Sequence, residues 1–115
     1  MSILFEENRK ELVAYIQEKN QNEGSVKTDV PSLYFFSTKS LLETVNVIYE
    51  PSLCVILQGS KSVSLGNQMY EYDPFKYLLS STHIPAKINI NEASQQTPFV
   101  SLKITFTLEQ IYEVL

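Results

Sequence analysis

A chain with one histidine, His83, and one cysteine, Cys54, has little with which to hold a catalytic metal. Divalent ions in barrel enzymes are held by several imidazoles or thiolates, which scattered carboxylates do not replace. His83, two residues before Pro85, therefore reads as a loop or rim residue, and no metal or other cofactor is expected. The neighbouring hydroxyls of Ser80, Ser81 and Thr82 come with no nucleophile elbow or oxyanion motif, so they point to no serine triad. Glu71 and Asp73 alternate along one predicted strand face, about 7 Å apart. That spacing suits the paired carboxylates of an inverting glycosidase. Tyr70 and Tyr72 occupy the opposite face and read as the buried side, which leaves the two acids on a wet face where they need no chemical role.

Cys54 lies inside the aliphatic run Leu53–Leu57 and reads as an inert small hydrophobe, with a redox-sensing thiol as the alternative. Seven tyrosines and no tryptophan are more suggestive, because each ring brings apolar area and a hydroxyl that seeks a partner when buried. Tyr70 and Tyr72 either line a ligand cavity or fill a barrel.

The elements that must carry these residues change along the chain. Residues 6–19 read as an amphipathic helix, with Phe5, Arg9, Leu12, Val13 and Ile16 at helical spacing and acids in the first turn. It is either laid on the domain or an arm reaching elsewhere. Residues 20–25 are polar and read as a connector. From Ser32 the pattern is that of strands: 33–36, 45–49, the continuous run 52–58 that suits a strand buried on both faces, then 61–65 and 68–73 about a Gly66–Asn67 turn. Segments 76–81, one from Pro85, and one from Pro98 to Phe106 follow. In the last, Val100, Leu102, Ile104 and Phe106 alternate with Ser101, Lys103 and Thr105, and the apolar set is expected to face the interior. Thr107 and Gln110 form a capping box that opens a short apolar helix with Leu108, Ile111, Tyr112 and Leu115. Eight residues are marginal for a helix, so the native chain is expected to continue past Leu115.

Bulk properties exclude several functions. With 115 residues the chain holds one core, and a net charge of -4 with Arg9–Lys10 as its one adjacent basic pair gives no phosphate-reading surface. A lone cysteine forms no intrachain disulfide and suits the cytoplasm. No secretory signal opens the sequence, and Leu53–Leu57 falls far short of the ~20 apolar residues that cross a bilayer.

The order of landmarks then becomes specific. The run Tyr49-Glu-Pro-Ser-Leu-Cys-Val-Ile-Leu-Gln-Gly-Ser-Lys61, then Leu65-Gly-Asn67, Tyr70-Glu-Tyr-Asp-Pro74, Tyr77-Leu-Leu79, Ser81-Thr-His-Ile-Pro85 and the strand from Pro98 to Phe106 follow one another along the chain. Together they resemble the N-terminal domain of AraC-type transcriptional regulators, in the subgroup distinct from the arabinose regulator itself. The resemblance spans roughly Pro31 to Leu115. It implies a cupin-like β-barrel that senses a small effector and helps dimerise, while a C-terminal pair of helix-turn-helix motifs, absent from this chain, binds DNA. It carries over no catalytic residue. Gly59, Gly66 and Pro74 look architectural, and Tyr70 and Tyr72 look interior.

The expected fold is therefore mainly β, a cupin-like antiparallel barrel or sandwich with a helix at each end. Residues 1–30 form the N-terminal helix and linker, and 31–115 the effector-binding and dimerisation domain. The expected function is effector sensing rather than catalysis, with a small metal-free cupin enzyme of the isomerase kind, or a purely structural dimerisation module, as alternatives. Candidate pocket residues are Val63, Leu65, Tyr70, Tyr72, Ile88, Ile90, Leu102 and Ile104. The candidate dimer helix presents Leu108, Ile111, Tyr112 and Leu115. No charged side chain is among the pocket set, so a small, largely uncharged effector is expected. The other partner is a second copy of the chain, with no membrane involved.

Overall fold

The computed structural model describes residues 3–19, 23–74, 76–107, 109–110 and 113. Helix α1 (Ile3–Lys19) comes first, followed by strands β1 (Gly24–Lys27), β2 (Leu33–Thr38), β3 (Leu42–Tyr49) and β4 (Ser52–Gln58). Then come β5 (Ser60–Leu65), β6 (Gln68–Tyr72), β7 (Tyr77–Ser80), β8 (Ile84–Glu92) and β9 (Phe99–Thr105). The β-branched and aromatic runs become strands, and Gly66, with φ +61°, turns the chain from β5 into β6. Beyond β9 the Thr107 amide donates to Gln110 Oε1 at 2.9 Å, and the Gln110 amide donates back to Thr107 Oγ at 3.1 Å. The reciprocal capping box is thus formed, and Glu109, Gln110 and Glu113 are helical.

The strands make two antiparallel sheets. Sheet A has the order β1-β2-β9-β4-β7 and sheet B the order β3-β8-β5-β6. The two are separate, so the architecture is a sandwich and not a closed barrel. The polar connector expected over residues 20–25 carries an edge strand instead: Gly24 to Lys27 pair with Ser37 to Tyr34. Propensity gave no sign of it, because Gly-Ser-Val-Lys is held by its partner's open edge and not by its own composition.

Gly59 sits at the corner where β4 of sheet A passes into β5 of sheet B. Its φ is +86°, and a Cβ there would stand 2.5 Å from the Glu92 carbonyl oxygen and 3.0 Å from the Phe99 ring. Only glycine takes this corner without displacing backbone.

Two apolar layers result. Outside sheet A, α1 lies on the strands, and Val13 and Ile16 are buried with Leu57 and Val100, flanked by Leu12, Phe35, Val55 and Leu102. Between the sheets, Cys54, Ile56, Ile90 and Phe99 form a second cluster. The β4 run is therefore covered on both faces, as its unbroken apolar sequence required. Arg9, the one charge on the helix stripe, explains itself here. A register shift between Ile56 and Gln58 takes Leu57 out of the β4–β9 ladder, and Arg9 Nη1 donates to the Leu57 carbonyl at 2.7 Å. Glu6 Oε2 accepts from Arg9 Nη2 at 2.9 Å, and this hydrogen bond, before any other cause, lowers the Glu6 carboxyl below its ordinary value.

Candidate functional site

Strand pairing sets the inner wall of each sheet row by row. Across sheet A, Tyr34, Lys103, Cys54 and Leu78 stand opposite one another in register, and Phe36, Ser101 and Ile56 form the next row. Across sheet B, Leu42, Ile90, Lys61 and Tyr72 are in register, then Val45, Ile88, Val63 and Tyr70. Side chains alternate between faces, so each row points one way. Where the rows face each other they flank a half-open cavity of about 320 Å³, with exposed Ile48 and Glu50 at its mouth. Its apolar wall includes Phe36, Phe99, Ile88 and Ile90, with the Phe36 and Phe99 rings edge-to-face at 5.9 Å. Its polar wall is Ser25, Tyr34, Tyr49, Glu50, Cys54, Lys61, Ser101 and Lys103, so one carboxylate stands among the two lysines.

Lys61 is the unusual member, with only 5% of its surface exposed. Its Nζ donates to Tyr49 Oη at 3.2 Å and to Cys54 Sγ at 3.5 Å, and stands 5.5 Å from the centre of the Tyr49 ring. Burial works against its charge. Interaction with Cys54 and Tyr49, electrostatic and by hydrogen bond, more than offsets this, so the net shift is upward. Lys103 differs, since Glu50 Oε1 lies 3.2 Å from its Nζ and the Tyr34 ring centre 5.3 Å away. Among the described residues no carboxylate lies within ion-pair distance of Lys61.

The residues expected to share one pocket are distributed over three environments. Ile88 and Ile90 line the cavity, Val63 is fully buried in the same inner face of sheet B, and Tyr72 packs against the inter-sheet cluster. Tyr70 is 43% exposed and lies with Met69 and Tyr77 on an open cleft at the sandwich edge. Leu65 is half-buried at the strand end. The inward direction expected for the β9 alternation is reversed. Val100 and Leu102 face α1, Ile104 is exposed, and Phe99, Ser101 and Lys103 face the cavity. Apolar alternation marks a covered face, and the cover here is the helix. The ground for an uncharged effector falls with it, because Lys61 and Lys103 stand in the wall. Leu108, Ile111, Tyr112 and Leu115 lie outside the described residues.

One signal was readable. Lys61 is two residues before Val63, so strand period alone puts its side chain on the buried Val63 face. Tyr49, Tyr34 and Ser101 carried no comparable sign, since their placing depends on which strands become neighbours. His83 is exposed just before β8, and Glu71 is exposed on β6. Among the described residues no group of three or more His, Cys, Asp or Glu side chains could hold a metal ion.

The profile of the AraC-type transcriptional regulator N-terminus matches residues 29–115. The chain belongs to that family. As an AraC-type N-terminal domain it is folded like cupins. A cupin-2 domain protein from Shewanella frigidimarina NCIMB 400 superposes with a TM-score of 0.52 at 8% identity, over 83% of this chain and 92% of its own. The cupin domain of Cnp3 from Schizosaccharomyces pombe gives 0.50 at 14% identity, over 80% and 69%. A cupin superfamily protein from Desulfitobacterium hafniense DCB-2 gives 0.48 at 22% identity, over 70% and 71%. At such low identity the first two speak for the fold alone, and the third, with a TM-score below 0.5, carries no argument. Comparison with curated proteins finds no match. No helix among the described residues of the AraC-type domain is long and apolar enough to cross a membrane.

Proposed function

We propose that this chain is the effector-sensing and dimerisation domain of a cytoplasmic AraC-type regulator, and that the effector occupies the cavity between the sheets. The observation that carries this is the cavity itself, about 320 Å³ walled by aromatic and aliphatic side chains with a buried ammonium among them. That size and mixture suit a small ligand held by apolar contact and oriented by few polar groups. A purely structural module has no use for such a space, and sensing needs no catalytic cycle. DNA contact belongs to other parts of the regulator, because the charge of -4 gives this domain no counterion-release term.

The test is to fill the cavity without touching the surface. In the intact regulator, Ile88→Phe is expected to abolish the transcriptional response to effector while leaving promoter affinity unchanged. A variant that responds normally would remove the cavity from the sensing role.

Self-association is assigned to the C-terminal helix, whose start is formed by the Thr107–Gln110 capping box. Sedimentation is expected to show a concentration-dependent monomer–dimer balance, weakened by Ile111→Asp. A strict monomer at several hundred micromolar would end this assignment.

A further inference from the structure

The inter-sheet cavity holds a buried lysine with no carboxylate within ion-pair distance among the described residues. Lys61 is 5% exposed, and the groups its ammonium donates to are a phenol and a thiol, both neutral acceptors in their ordinary forms. Lys103 on the opposite wall is already matched by Glu50 at 3.2 Å, so its charge is spoken for. Buried charges are ordinarily paired, and an ammonium kept at a cavity wall without a carboxylate leaves that pairing to whatever enters. A third hydrogen of the ammonium also remains for a ligand after Tyr49 and Cys54 have accepted two. The rest of the wall sets the other half of the ligand. Ile88, Ile90, Phe36 and Phe99 offer only apolar contact, Glu50 in the same wall is engaged by Lys103, and about 320 Å³ lies at the small end of ligand cavities.

Resting on the reading of this cavity as the effector site, we infer that the effector is a small organic acid, its anionic head paired with Lys61 and its apolar body against Ile88, Ile90 and Phe36. A neutral ligand of the same shape leaves the ammonium unpaired, and a cationic one adds repulsion. Discrimination between these three charge states is therefore the property the site confers.

Benzoate, benzamide and benzylamine form a set matched in shape and differing in charge. Calorimetric titration of the purified chain is expected to give benzoate an affinity at least tenfold tighter than benzamide, since a hydrogen bond to a charged group contributes about that much. Benzylamine is expected not to bind. In Lys61→Met, whose stem preserves the packing, benzoate should fall to the level of benzamide while benzamide itself is unmoved. Lys61→Gln serves the same purpose if the methionine variant fails to fold. Methyl resonances of Ile88 and Ile90, followed in parallel, report occupancy independently of affinity. Benzamide binding as tightly as benzoate, with both methyls shifting, would overturn the acid inference and leave the effector cavity standing. Tight benzoate binding that survives both lysine variants would overturn it too. If no member of the set moves either methyl at millimolar concentration, the cavity reading fails and the inference fails with it.

Discussion

Strand β9 is covered on both faces, and the two coverings could hardly differ more. On one face Val100 and Leu102 meet Val13, Ile16 and Leu57, and the layer is closed by hydrocarbon. On the other, Phe99, Ser101 and Lys103 look onto a cavity with a second lysine across it. The helix side has one polar intrusion, Arg9, and it satisfies the Leu57 carbonyl that the β4 irregularity leaves outside the ladder. The cavity side keeps a buried ammonium with a phenol and a thiol for company. Under the helix, too, Glu6 Oε1 and Arg9 Nε are buried without a hydrogen-bond partner, so the two layers differ in the free volume between the sheets and not in complete polar matching. The cavity side combines free volume with a buried lysine, and it is there that the proposed effector would sit.

The comparison breaks first at Ile16, which is fully buried under α1. Ile16→Ala is expected to destabilise the chain by about 2–5 kcal/mol, read from urea denaturation. A loss under about 1 kcal/mol would mean that α1 is an appendage and not a closing layer. Next comes Arg9→Met, expected to cost about 1–3 kcal/mol because the Leu57 carbonyl loses its donor. An unchanged midpoint would show that water replaces the guanidinium there. Ile88→Ala, at a half-buried side chain beside open space, is expected to cost about 2 kcal/mol or less, at or below the low end for such truncations. A cost equal to that of Ile16→Ala would mean that the two layers are packed alike.

The smallest effect is alkaline. Burial, with Tyr49 adding to it and Lys61 opposing, raises the Tyr72 phenol above its ordinary 10.0. Lys61 lies above its ordinary 10.5, burial opposing and Cys54 and Tyr49 prevailing. Raised values mean that the folded chain holds both protons more tightly than the unfolded one. Their contribution is whole below the ordinary values and is lost as pH rises through the folded ones. The denaturation midpoint is therefore expected to drop from about pH 10 upward, and less steeply in Tyr72→Phe. Parallel pH curves for the two proteins would contradict this.

Much of the sandwich was legible because its signals are local. The β4 run announced burial on both faces, Gly66–Asn67 announced its turn, and the helix stripe announced a face to be covered. The cavity was less legible for a specific reason. Both faces of β9 are covered, so its apolar alternation could not say whether helix or sheet lay over Val100 and Leu102. The edge strand β1 has no propensity of its own and exists through its pairing with β2. Lys61 was within reach of strand period, sharing the face of Val63, yet a lysine reads as solvent-facing until its neighbours are known. Tyr70, placed inside with Tyr72 by alternation, is exposed because β6 is the edge of sheet B and its in-register row ends there.

If the proposed effector site is right, the layer between the sheets takes up a small molecule and the layer under the helix does not. Methyl-labelled protein titrated with benzoate tests it directly, because both layers are reported in a single spectrum. The account predicts shifts at Ile88 and Ile90, with Val13, Ile16 and Val100 unmoved. Shifts that appear first or equally under the helix, or that are absent between the sheets, would contradict it.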